Sequence, residues 1–488
     1  MNGTKRSSDA ARKEGAVANR GEGATRKLVY HAATLNYEAL PSALVALTKQ
    51  CILDTLGVCI GATGLAEEAP IVTEYVKDMG GKPESTILGF GGKAPAPWAT
   101  FVNGSFGHML DYDDVGDNNH ISIATIPLAF AVAEMLGGVS GRHLITAIAG
   151  GSDVHTRINE AIDIPEWIMT EGWFATQLIG FMSGAATAGR LLGLSPESMD
   201  NAFGIGFNQS CGSRQMAVGA ATHMRSMQAG FSGQGAVVAA QLAQRGIIGS
   251  KEVLEGRYGL FKTYVRTNSP DWEALLGGLG QQFPILDNHG FKVWPACAYT
   301  RHANAATLKL RKDHNLRPED VESITVIGGP THTQFLSEPL ELKRRPQTGI
   351  DGKYSIPFTV AVMMAHGNVT LRDYTDAGLH DPTILAMADR VRYRPASNAQ
   401  IAACPPGSKP KTWIEIRTKD GSVLEAQADG VPGDPQNPVD RNVLETKFRD
   451  CISFSAKPVP AHNIDRAIEM IFDLENVADA TEIIRLLS

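Results

Sequence analysis

Apolar residues recur at three- and four-residue spacings through most of the chain up to about residue 264, with short Gly-rich connections between the runs. That period belongs to one helix after another. In 43–60, Leu44, Leu47, Cys51 and Ile52 begin a stripe that is apolar nearly all round by 53–60, which predicts a buried helix. Further apolar helices are predicted over 126–136, 143–161 and 180–192. Ser195 and Pro196 supply an N-cap and a first-turn proline for a helix over 197–206, and 227–245, rich in Ala, Gly and Val, is another. Small side chains at this density let helices approach closely, as in a bundle several helices deep.

Near Trp272 the period changes. Residues 323–327 alternate with period two, and 413–418 and 422–426, joined by Lys419-Asp420-Gly421, read as a β-hairpin. Helical patterns over 303–312, 356–366 and 383–391 lie between. From 442 to the end the chain is helical again, with amphipathic runs at 464–472 and 478–487. The predicted fold class is therefore mainly α with an α+β insertion. A large all-helical domain takes 27–270 together with 433–488, and a smaller α+β lid domain takes 271–432 and can hinge at its two connections.

A chain of 488 residues exceeds one simple core, which agrees with two domains. The formal charge of −7 argues against a nucleic-acid or polybasic membrane partner. Hydrophobic and charged contents of 43% and 20% are those of an ordinary globular protein. Six cysteines (51, 59, 211, 297, 404 and 451) without a CxxC pair read as reduced thiols of a cytoplasmic protein. Residues 1–26 are polar with no apolar signal core, and Asp9, Glu14 and Glu22 count against a mitochondrial presequence, so a disordered tail is expected. The longest uncharged run, 172–189, contains Gln177, threonines and several glycines, and is read as a buried core helix rather than a membrane span. Gly230, Gly233 and Gly235 resemble a phosphate loop in spacing but follow no strand, which makes them helix-packing glycines.

The candidate chemistry centres on 104–120. If 104–114 is helical, His108, Asp111 and Asp114 share one face, and the turn residues Gly116 to Asn119 place His120 on a loop past its end. Acidic groups crowded at a helix C-terminus oppose the helix dipole and repel one another. Apolar sequence flanks the cluster on both sides, so a buried functional site is expected, its groups with perturbed pKa values.

With these residues in place, the chain resembles the MmgE/PrpD family, which includes 2-methylcitrate dehydratase, cis-aconitate decarboxylase and iminodisuccinate epimerase. The resemblance covers about 27–488. It rests on Val102-Asn103-Gly104 through Asp111-Tyr112-Asp113-Asp114 with His120, on Gly172-Trp173, and on Gln228-Ala229-Gly230-Phe231. Leu254-Glu255-Gly256 with Tyr258-Gly259, Lys292-x-x-Pro295-x-Cys297 with His302, and Arg344-Arg345-Pro346 before Lys353-Tyr354-Ser355 complete it. It implies homodimers, a site in the cleft between the two domains, and acid–base work on a small carboxylate substrate with no obligatory metal or organic cofactor. Asp111, His120 and Lys292 match the family's active-site positions. Asp114, Trp173, Phe174, Arg225, Cys297, Tyr299, His302 and Arg345 are candidates for substrate binding and the pocket wall.

Four positions depart from that pattern. Phe174 replaces a histidine, Arg225 a lysine, Val115 a threonine and Phe358 a tyrosine. Arginine keeps the positive charge but does not titrate near neutrality, and phenylalanine removes a base. The favoured reading is a cofactor-independent lyase that dehydrates or decarboxylates a small di- or tricarboxylate. Its rivals are an epimerase or isomerase, a non-catalytic carboxylate-binding homologue, and a Mg²⁺ or Mn²⁺ enzyme with His108, Asp111, Asp114 and His120 as ligands.

Overall fold

The computed structural model describes residues 21–116, 119–162, 172–217, 222–329, 332–402, 412–428 and 430–488. It divides into two compact units. The first contains the chain up to Met109, Gly116–His289 and Leu444–Ser488, and the second contains Leu110–Val115 and Gly290–Val443.

The first unit is helical. Its elements are α1 (Ala24–Thr34), α2 (Ser42–Leu65), α3 (Glu68–Met79), α4 (Ala96–Met109), α5 (Ser122–Met135), α6 (Gly141–Glu160), α7 (Ala175–Leu191), α8 (Pro196–Phe207) and α9 (Met224–Gln244). The boundaries follow local chemistry: the hydroxyls of Ser140 and Ser195 accept from the amides of His143 and Ser198 and cap α6 and α8. Helix α2 is long and apolar enough to cross a membrane, yet 72% of its most apolar stretch is buried within the protein. The run over 172–189 is likewise largely core, in α7.

Helix α9 packs against α4 and α7. A Cβ at Gly230 would stand 2.3 Å from the Ser105 hydroxyl and 2.4 Å from the Phe101 carbonyl, so only glycine permits this approach to α4. The Gly230 run is thus helix packing, as its sequence context implies. The C-terminal stretch is tied in by charge as well as by apolar contact. Lys447 meets the buried Asp54 of α2 at 2.6 Å, and Lys49 meets Glu475 at 2.8 Å.

Several expected boundaries move, among them 110–115 and 433–443, expected in the helical domain, which group with the second unit. Of the tail expected over 1–26, residues 1–20 lie outside the described residues, but α1 already starts at Ala24. The Glu255 carboxylate accepts from the Thr25 amide at 3.1 Å and so caps that start. Residues 271–289, expected in the insertion, group with the helical unit. Arg157 of α6, fully buried, explains this: its guanidinium donates to the carbonyls of Leu275, Gly277 and Gln282.

The second unit is built on a four-stranded sheet. Strand β1 (Val321–Gly328) pairs in parallel with β2 (Val391–Pro395) and antiparallel with β3 (Trp413–Thr418), which pairs antiparallel with β4 (Val423–Gln427). The hairpin lies where the sequence places it. Ile324 lies opposite Ile416, and Val326 opposite Ile414, on the buried face. Helices α10 (Arg301–Asp313) and α11 (Ile356–His366) complete the core with Phe358, Met363 and Trp294. The helix expected over 383–391 ends at Ala388, and Val391 begins β2 instead.

Candidate active site

Helix α4 ends at Met109, short of the expected run to Asp114. Asp111 has φ of 47°, in the left-handed region that a right-handed helix cannot pass through and that Asp tolerates better than most residues. His108, Asp111 and Asp114 therefore do not share a helix face. They are nonetheless buried, at 3%, 3% and 0% exposure, and Asp113 and His120 are buried with them. A solvated helix end is excluded. The energetic consequence is that each ionisable group here needs compensation from its surroundings.

In the helical unit the His120 and His108 rings lie 4.5 Å apart between centroids. The His120 amide donates to Thr176 Oγ1 at 3.1 Å, and that hydroxyl donates to Asn119 Oδ1 at 3.3 Å. His155 of α6, which the sequence reading passed over, pairs through Nε2 with Asn119 Oδ1 at 3.3 Å and through Nδ1 with Ser183 Oγ at 3.0 Å. An amide oxygen only accepts, so Nε2 carries the hydrogen and Nδ1 accepts from Ser183. Burial, and then the charge of a protonated His120, push the His155 pKa down to about 3. Two adjacent residues, Asn119 and His120, are thus held by hydroxyls and a neutral imidazole from α6 and α7.

This has a stability consequence. Below its ordinary pKa near 6.5 the unfolded chain protonates His155, while the folded protein does not until about pH 3. Stability from this residue is therefore complete above pH 6.5 and falls by about 1.4 kcal/mol per pH unit below it. Denaturant titrations at pH 7 and pH 5 should show wild type losing about 2 kcal/mol more than His155→Gln across that interval. Equal losses would contradict a neutral buried His155.

Trp173 forms an isolated bridge with Ser213 and meets Tyr264 edge-on at 4.9 Å. Phe174 is held by its amide on the Gly212 carbonyl at 2.7 Å, and the Arg225 guanidinium sits 5.1 Å from the centre of its ring. The two departures from the family pattern in this unit therefore touch, in a cation–π contact.

In the second unit Lys292, fully buried, donates to the Asp111 carboxylate and, at 3.0 Å, to the Asp111 carbonyl. The Tyr112 hydroxyl donates to the Val293 carbonyl at 3.1 Å and fixes the same two segments. A buried pair of this kind is weak evidence for stability, because desolvation offsets its attraction. Cys297 is buried, with its amide on the Lys353 carbonyl at 3.0 Å, and Tyr299 packs half-buried against the sheet core. His302 is exposed on the first turn of α10, and Arg345, half exposed, pairs with Asp389 at 2.7 Å. Both thus stand outside the buried group. Two residues not assigned to the site from sequence are also buried in this unit: Lys353, with its ammonium 5.7 Å from the centre of the Tyr374 ring, and Tyr374 itself.

A mainly helical protein carrying a small α+β unit and buried groups suited to acid–base chemistry is the class these features define. The chain belongs to the MmgE/PrpD family: the N-terminal domain of that family matches residues 26–273 and the C-terminal domain matches 294–472. Cis-aconitate decarboxylase of Homo sapiens is 26% identical over 469 residues, covering 92% of this chain and 91% of that protein. Cis-aconitate decarboxylase of Aspergillus terreus is 24% identical over 503 residues, 98% of each chain. The cis-aconitate decarboxylase-like protein oryM of Aspergillus oryzae is 24% identical over 478 residues, 92% of this chain and 94% of its own.

Proposed function

We propose that this protein is a lyase that dehydrates or decarboxylates a small di- or tricarboxylate, using its own side chains for acid–base chemistry. The observation that carries the reading is likeness to cis-aconitate decarboxylases along nearly the whole chain, with Asp111, His120 and Lys292 present and buried. Lys292 would neutralise a substrate carboxylate, with Asp111 orienting its ammonium. In decarboxylation the C–C bond breaks, CO₂ leaves, and the electron pair left on carbon takes a proton from His120. In dehydration a base removes the α-proton and an acid protonates the departing hydroxyl. A cytoplasmic homodimer belongs to the same proposal.

Phe174 and Arg225 favour a substrate other than those of the dehydratase and decarboxylase members. The surface His223, paired with Glu67 at 3.0 Å, and the exposed His302 are poorer candidates than a buried imidazole to take over the role missing at 174. An apolar ring there also makes its surroundings drier, which suits a substrate with an apolar group or one carboxylate fewer. The same loss favours epimerisation as the second reading, since removing and returning one proton needs fewer groups than elimination. Wild type is expected to fall below about 10⁴ M⁻¹s⁻¹ in kcat/KM with cis-aconitate and with 2-methylcitrate. Because the two side chains touch, they must be changed together. Phe174→His with Arg225→Lys should raise turnover of one of these acids by about tenfold or more, toward the range of an added general acid–base group. Efficient wild-type turnover of either acid would show the departures to be inert.

A further inference from the structure

Tyr374 ends a short 3₁₀ turn, Leu371–Tyr374, and is only 8% exposed. Its hydroxyl is buried and has no hydrogen-bond partner among the described residues. Leaving such a group unpaired lowers stability, and phenylalanine would fill nearly the same space without that loss. The ring packs 6.1 Å from Phe358 of α11, which carries no hydroxyl, so Tyr374 supplies the phenol of this ring pair. On its other side stands the buried Lys353 ammonium.

Two carboxylates act on the phenol, and only one is otherwise employed as a cap. Asp373 accepts from the Thr370 amide at 2.6 Å, from the Thr370 hydroxyl at 2.9 Å, and meets His366 Nδ1 at 3.2 Å. The other is Asp111, the partner of Lys292. Burial first, then these negative charges, hold the phenol pKa well above its usual value, so the group is a proton-bearing donor at neutral pH. Asp111 with Lys292, and Lys353 with Tyr374, are two buried pairs of the same unit, and the second pair carries an unused hydroxyl donor.

We propose that the Tyr374 hydroxyl is a substrate-binding donor, which hydrogen-bonds a carboxylate of the bound acid beside Lys353. The assignment rests on the carboxylate reading above and adds a residue to it. A ligand carboxylate supplies the acceptor that the protein withholds, and the Lys353 ammonium beside the ring balances its charge.

The test is Tyr374→Phe, read in two ways. Without ligand, the variant should melt at or above the wild-type temperature, because an unpaired buried hydroxyl is removed. A drop of several degrees would assign the hydroxyl to the fold and overturn the proposal. The second reading is the thermal shift given by tricarboxylates (cis-aconitate, citrate and tricarballylate) and by dicarboxylates (succinate and methylsuccinate). An acid that shifts wild type should bind Tyr374→Phe about 10- to 100-fold more weakly, the loss of one hydrogen bond to a charged group. Equal shifts in both proteins would overturn the role of Tyr374 and leave the carboxylate reading standing. No shift of wild type with any of the acids would remove the carboxylate reading and this assignment with it.

Discussion

Replacing His120 by Asn is expected to lower turnover by about 10²–10⁴-fold, the usual contribution of a general acid–base group. The fold should be indifferent to the change. Two contacts that hold this position, the backbone amide on Thr176 and the neighbouring Asn119 on His155, do not use the His120 ring and survive the change. Asparagine keeps a polar side chain of similar reach but cannot carry a proton through the reaction. Steady-state kinetics on the substrate that wild type turns over, with thermal melts alongside, separates the two effects. Wild-type-like turnover, or a collapse of the melting temperature that accounts for the loss, would contradict a proton-transfer role.

Lys292→Met should do more damage, and of two kinds. It removes the ammonium facing the Asp111 carboxylate in a place where both side chains are almost wholly buried, at 0% and 5% exposure. Breaking a buried pair from one side costs about 3–5 kcal/mol, because a charge stays behind in a poor solvent. The same change takes away a cation proposed to bind substrate. A double-mutant cycle divides these costs. Adding Asp111→Asn to Lys292→Met should recover most of the lost stability and none of the activity. Recovery of activity with stability would make the pair purely structural; no recovery of stability would mean the cost lies elsewhere.

The parts of the fold legible in the sequence were those where one local pattern decides. The nearly all-apolar α2, the Ser-capped α6 and α8, and the hairpin of β3 and β4 fall where periodicity and turn residues place them. Failures come where a longer-range partner decides. Val391 reads as the end of a helix, but it opens strand β2, Val391–Pro395, whose register is set by β1, which lies far off in sequence. Residues 271–289 look like the start of the insertion until Arg157 is seen to hold their carbonyls. At Asp111 a three-residue spacing suggests a helix face, and one left-handed residue cancels it.

The chemical residues divide the same way. The crowding of acids and histidines in 108–120 between apolar stretches was a sufficient signal that these groups are buried, and Lys292 came from the family pattern. His155 had a signal that went unused: Asp153, His155 and Arg157 are ionisable residues at alternate positions in a helix read as apolar, and all three are fully buried. Tyr374 had none, because nothing in Leu371–Tyr374 distinguishes a phenol with an unused hydroxyl from one at the surface.

The central claim is that the chain breaks a C–C or C–O bond in a small polycarboxylate. The most direct test is NMR of purified protein in D₂O with a panel of methylcitrate, citrate, cis-aconitate, iminodisuccinate and related acids. The expected result is that at least one acid gives a new product lacking CO₂ or water, and that His120→Asn suppresses its formation. Deuterium entering an acid with no product of altered mass, or no reaction across the panel, would contradict it.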